Sequence, residues 1–253
     1  MQTAATIFFL TMRALREALR QPAGEVANIF IPLFFFAVTV GSIGRIAGDA
    51  FAIDNFTGFQ MPVAMLSAAS SAAAGAGLGT VTDIQRGYFD KLLLTPAPRP
   101  AIVFGRITAD GVRALIMTAV ILAVGLVVGA GLEAGVAGAL VLFAGAFVFG
   151  MGYSSFNAAI ALKTGSPQAA AAGNLFFFPL IFLSTAFAPK EVFAGWLEFL
   201  ATINPITYIL EAQRSLVLEG WDGLALLRGG AAILGFGMIS FTLTFMALRG
   251  RTA

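Results

Sequence analysis

The sequence contains neither cysteine nor histidine in 253 residues. The first absence excludes disulfides, thiolate metal sites and a cysteine nucleophile. The second removes the commonest general base, and with it any Ser-His, Cys-His or HExxH mechanism. Charge is scarce too: 11% of residues are charged against 58% hydrophobic, at a mean hydropathy of +0.90. A soluble domain of this length needs far more charge on its surface, so the composition is that of an integral membrane protein. The only lysines, Lys91, Lys163 and Lys190, follow Asp90, Leu162 and Pro189 and never a glycine. A GxxxxGK[ST] phosphate loop therefore cannot be written anywhere in the chain, and no nucleotide site, metal site or catalytic residue is expected in it.

What is present is apolar sequence in long runs. Stretches able to cross a core of about 30 Å at about 1.5 Å per residue lie at 26–44, 59–82, 107–131, 136–162, 168–188 and 224–248. These predict an all-α integral membrane protein with six transmembrane helices, forming one transmembrane domain over 1–253. Residues 1–22 begin with no short apolar run and cleavage site of the signal-peptide kind, so the N-terminal segment is expected to be retained. At about 100° per residue, Phe8, Met12, Leu15 and Leu19 share one sector, and Arg13, Arg16 and Arg20 lie roughly opposite. That pattern predicts an amphipathic helix lying on the cytoplasmic leaflet.

Basic residues sort by loop. Arg13, Arg16, Arg20, Arg86, Lys91, Arg99, Arg106, Lys163, Arg249 and Arg251 fall on one side of the six-span arrangement, and only Arg45, Lys190 and Arg214 on the other. The positive-inside rule then makes both termini cytoplasmic and requires an even number of spans. The apolar stretch 191–219 is accordingly not a seventh span. Asn204-Pro205 cuts it into two pieces, each too short to cross, which predicts a pair of re-entrant extracellular helices within 190–222. Asn204 is expected as N-cap of the second, Pro205 at its first position and Gly220 at its end.

Several residues inside the spans are candidates for a substrate path. The second span is so rich in Ala, Ser and Gly that it should face protein or an aqueous route, with Met61, Met65, Ala72 and Ala73 as lining residues. The fifth carries Asn174, then Phe176, Phe177 and Phe178 ahead of Pro179, which should kink the helix and turn at least one ring inward. Asp110 and Arg113 lie three apart on one face of the third span and should pair, reducing the cost of holding either charge in lipid. A secondary carrier or channel using this pair as a charge relay is the alternative reading of the chain. Glu25 opens the first span, where a helix N-terminus favours a carboxylate.

The polar loop from Asp83 to Arg106 is the one interior loop with its own amphipathic helix, predicted over Arg86–Leu94 and stopped by Thr95 and Pro96. Its Arg86-Gly87, Phe89-Asp90-Lys91-Leu92, Thr95-Pro96, Arg99 and Gly105-Arg106 resemble the coupling loop of type-2 ATP-binding-cassette exporter permeases of the daunorubicin-resistance kind. The run from Phe182 to Pro189, then Trp196-Leu197 and Asn204 to Tyr208 with Glu211 and Arg214, resembles the outer part of the same family. Gln85 and Thr185 depart from it, standing where an acidic residue and a glycine are frequent. The resemblance implies a permease subunit of a bacterial cytoplasmic-membrane exporter, paired with a second copy or a homologue. ATP and Mg would be bound by a separate ATPase subunit, with no cofactor in this chain and no nucleic-acid partner. Tyr88, Phe89, Leu92 and Leu93 would seat in the ATPase while Arg86, Asp90 and Lys91 set its orientation. The apolar candidates of the path point to a hydrophobic drug-like or lipid-like cargo.

Overall fold

Lipid offers the backbone no hydrogen-bond partners, so a chain of this composition must satisfy its N–H and C=O groups within helices. The computed structural model describes residues 2–51, 53–95 and 97–252, and among these it contains helices and no strand. The helices are α1 (Gln2–Leu19), α2 (Pro22–Phe51), α3 (Phe56–Ala72), α4 (Ala74–Gln85), α5 (Tyr88–Leu93), α6 (Arg99–Val127) and α7 (Gly135–Thr164), followed by α8 (Pro167–Leu175), α9 (Phe177–Phe182), α10 (Gly195–Ile203), α11 (Pro205–Arg214) and α12 (Gly223–Thr252). A single π-helical turn, Ser215–Glu219, extends α11.

Among the described residues five segments are long and apolar enough to cross a membrane: α2, the α3–α4 run Phe56–Gln85, α6, α7 and α12. The fifth segment expected, 168–188, is instead two short helices within Pro167–Phe182. They meet at Phe176, and Pro179 lacks the N–H that would close a bond to Leu175. The polar loop is also shorter than expected, because α4 continues through Gln85 and α6 already starts at Arg99, with Pro100 in its first turn. The break at Asn204 falls where expected. Its side chain accepts from the Ile206 N–H at 3.0 Å, Pro205 opens α11, and Gly220 at φ +99 ends the π turn.

Packing defines two ends. At one, α1, α5, the start of α6 and the last turns of α7 and α12 meet around Phe89, Ile102, Val103, Ile107, Leu162 and Leu248. At the other, the amides of Glu133 and Ala134 in the α6–α7 turn donate to the carbonyls of Val217 and Leu216. Hence α10 and α11 sit at the end opposite α5. Between the ends, Met61 and Met65 of α3, Ile121 of α6, Phe149 and Tyr153 of α7 and Leu210 of α11 are fully buried. Against lipid tails as apolar as leucine, what such a core gains is close van der Waals packing rather than escape from water. By contrast α2 leaves Phe30, Phe34, Phe35 and Val38 exposed.

Candidate functional site

The α4–α5–α6 turn is a built element. Gly87 takes φ +66, a left-handed conformation open to glycine, and this reverses the chain between α4 and α5. Within α5, Phe89 is only 2% exposed and points into the apolar cluster of Ile102, Ile107 and Leu162, with Leu92 and Leu93 packed on its edge. This corrects the expectation that Phe89, Leu92 and Leu93 seat in a partner: their groove is in this chain. The free surface of the turn is Arg86, Asp90, Lys91, Leu94 and Thr95, with Leu94 88% exposed. Thr95 Oγ1 donates to the Leu92 carbonyl at 2.6 Å and closes the helix. Pro96 lies outside the described residues.

A charged brace holds this turn to α1. The Asp83 carboxylate, at the end of α4, accepts from Arg13 Nη2 at 2.9 Å and from Arg106 Nη2 at 2.7 Å, and Arg106 also reaches Glu17 at 3.3 Å. The Arg13 guanidinium lies 4.1 Å above the Tyr88 ring, so one arginine touches both ends of the α4–α5 turn. Burial pulls the Arg13 pKa down, but the hydrogen bond and charge of Asp83 outweigh it and leave the group above its ordinary value. The inward face of α1 is therefore Leu10, Thr11, Arg13 and Glu17, while Phe8 and Leu19 face outward.

The expected Asp110–Arg113 pair forms, Oδ1 to Nη1 at 2.7 Å, and is more elaborate than the spacing alone shows. Arg113 also holds Glu25 through Nη2 at 2.5 Å and donates to the Ala72 carbonyl at 2.9 Å. Asp110 accepts from Ser154 Oγ at 2.9 Å and from the Ala76 N–H at 2.6 Å. Both charges are thus fully engaged with protein groups.

Of the residues expected on a substrate path, Asn174, Phe177 and Phe178 line a cavity of about 120 Å³ between α2, α3 and α9. Met61, Met65, Ala72 and Ala73 are packed into the core behind it. The α3 face that meets the cavity is Gln60, Ala64, Ser67 and Ser71, displaced around the helix from the one expected. Phe176 turns away, its ring 5.7 Å from that of Phe156 on α7. Gln60 Oε1 and Asn174 Oδ1 are buried acceptors with no hydrogen-bond partner.

At the end opposite α5, Arg214 is buried. It donates to the carbonyls of Phe59 at 3.0 Å and Ala186 at 3.2 Å and to Thr185 Oγ1 at 3.3 Å, and stands 3.5 Å over the Phe59 ring. Burial lowers its pKa to about 9, with Glu211 opposing, so it stays charged at neutral pH. Sequence reading missed Asp83, Glu17 and Leu94 because their roles depend on which face of α1 and α5 turns inward. Gln60, a polar residue inside an apolar run, was a usable signal.

Membrane-length helices around a largely apolar cavity, with a short helix braced at one end, are the architecture of a multi-pass membrane protein. The chain belongs to the ABC-2 type transporter family, whose model matches residues 5–218. It is similar to the daunorubicin resistance ABC transporter permease protein DrrB1 of Streptomyces coeruleorubidus, 24% identical over 237 residues covering 91% of this chain and 83% of that protein. It is also similar to the probable doxorubicin resistance ABC transporter permease protein DrrC of Mycobacterium tuberculosis, 24% identical over 226 residues, covering 87% and 81%. A third relative is the putative transport permease ycf38 of Cyanophora paradoxa, 26% identical over 214 residues, covering 83% and 73%.

Proposed function

We propose that this chain is the membrane-spanning subunit of an ATP-driven exporter whose ATPase is a separate polypeptide. The observation that carries it is the braced turn at α5: a rigid helix anchored by Phe89, with Arg86, Asp90, Lys91 and the bare apolar Leu94 at its tip, is suited to receive a moving partner. No phosphate loop exists in these 253 residues, so ATP energy, if used, would enter from another polypeptide through such a surface. In this reading the chain crosses six times, with α8–α9 as the fifth crossing and both termini and α5 cytoplasmic. The α10–α11 pair dips in from the outer face.

The exposed face of α2 and the cavity beside it, with Phe178 and Phe182, would meet a second permease copy or a homologue. The cavity wall is largely apolar, with Gln60, Ser67, Ser71 and Asn174 among its lining, which suits a hydrophobic drug-like or lipid-like cargo. The names of the relatives, which speak of daunorubicin and doxorubicin resistance, agree with that class. The charge-relay alternative is not favoured, because Asp110 and Arg113 are held by Glu25, Ser154 and the backbone of α3 and α4. The test is purification of the tagged chain from its native host. Co-purification of an ATP-binding-cassette ATPase, and transport in liposomes only with ATP and that subunit, is the expected result. A chain that purifies alone and transports alone overturns the proposal.

A further inference from the structure

The second span is one helix in sequence and two in space. It divides at Ala73 with no proline at the break; Ser70 and Ser71 bond back to the Ser67 carbonyl just before it, and at the break itself side chains enter the backbone ladder. In an unbroken helix the Ala76 N–H would donate to the carbonyl four residues earlier, that of Ala72. Here that N–H goes to Asp110 Oδ2 at 2.6 Å, and the Ala72 carbonyl accepts from Arg113 Nη1 at 2.9 Å. The two ends of one ion pair have taken the two ends of one rung. Polarity is right as well: the carboxylate sits at the N-terminus of α4 and the guanidinium at the C-terminus of α3, each facing the helix end that attracts it.

The surroundings are shaped for this. A methyl on Gly75 would collide with the Arg113 and Asp110 side chains, and one on Gly79, a turn further, with Arg106. The α4 backbone is thus bare where two arginines of α6 lie against it, and Arg106 also holds Asp83 at the far end of α4. Asn157 Nδ2 reaches the Ala73 carbonyl at 3.4 Å, at the break itself, while its Oδ1 has no hydrogen-bond partner.

We propose that Asp110 and Arg113 are positioning residues that hold open one rung of the second span, so that α4 and α5 pivot as a unit at Ala73 relative to α3. This rests on the reading of α5 as the element that receives motion from an ATPase. It differs from an ordinary structural salt bridge, which would tolerate exchange of its two charges. A rung clamp would not, since an arginine at 110 cannot accept from Ala76 and an aspartate at 113 cannot donate to Ala72.

The assay uses the complex with its co-purifying ATPase in proteoliposomes and exploits the absence of native cysteine. A Ser67→Cys substitution, on the cavity wall, reports maleimide labelling rates with and without nucleotide trapped by vanadate. The parent should change its labelling rate on trapping. Asp110→Leu, which keeps the size but removes the acceptor, should keep the ATPase bound and hydrolysing while that response shrinks at least fivefold, and D110R/R113D should not restore it. A response that survives Asp110→Leu, or returns with the exchanged pair, overturns the hinge alone. A parent with no response overturns the coupling reading and the hinge together. If Asp110→Leu does not assemble, Gly75→Ala makes the same test with all charges kept, and an unchanged response there overturns the proposal.

Discussion

Replacing Asp83 by Asn should loosen α1 from the α4–α5 turn without unfolding the bundle. The Asp83 side chain is 8% exposed and is shared by Arg106, 12% exposed, and Arg13, 37% exposed. Truncating one member of a buried pair costs about 3–5 kcal/mol because the other charge is stranded. Arg106 keeps Glu17 at 3.3 Å, and the exposed Arg13 loses little, under about 1 kcal/mol. Because the Asp83–Arg106 pair joins α4 to α6 and only Arg13–Asp83 joins α4 to α1, the docked state of α1 itself loses up to about 1 kcal/mol, which at about 1.4 kcal/mol per tenfold raises the undocked population up to about fivefold. Ala14, which lines the small gap between α1 and Asp83, gives the readout. An Ala14→Cys chain should label with a maleimide up to about fivefold faster in the Asp83→Asn background, while a cysteine at Leu19 on the outward face labels equally in both. A rate change below about twofold at position 14 would falsify the brace.

Leu94→Asp should leave the chain folded, since nothing packs on that side chain, and should release the ATPase in pull-down; Phe89→Ala should instead cost about 3–5 kcal/mol and be read as lost thermal stability in detergent. Ser67→Trp should fill the cavity and stop export at normal expression, whereas Ala72→Trp, placed in the core, should fail to accumulate; equal behaviour of the two would refute the placing of the α3 faces. Arg214→Met should lower the melting temperature by breaking the tie of α11 to Phe59 and Ala186, and Arg214→Lys should not recover it, because one ammonium cannot reproduce the guanidinium's several bonds and its stacking on Phe59.

Much of the architecture was legible because composition and charge act over whole segments. Apolar length marked five membrane-length helices, and Asn204-Pro205 marked the break between α10 and α11 by a local rule that tertiary contacts did not override. The pairing of Asp110 with Arg113 followed from spacing alone. What stayed hidden is what depends on facing. Phe89 reads equally well as an anchor for a partner or as a plug in the chain's own core, and only Ile102, Ile107 and Leu162, none of them near in sequence, decide. Met61 and Ala72 failed as cavity residues for the same reason, since a small rotation of α3 exchanges them for Gln60 and Ser71. The break at Ala73 was not legible because the local Ser and Gly residues do not fix its position, which the Asp110 and Arg113 contacts from α6 do.

The shortness of α8–α9 ties this chain to the thickness of the bilayer around it. The pair ends at Phe182 after roughly 24 Å of rise, leaving about 6 Å of a typical hydrocarbon core to irregular backbone. Such backbone survives at that depth only with protein partners, and it has them: Asn204 Nδ2 donates to the Leu180 carbonyl and Arg214 to that of Ala186. Lipids with longer acyl chains stretch this weak point and shorter ones relieve it, at fractions of a kcal/mol per Å of mismatch. If α8–α9 is a crossing, as proposed, acyl-chain length is a control variable for this permease, acting on that segment while the five longer helices adjust by tilting.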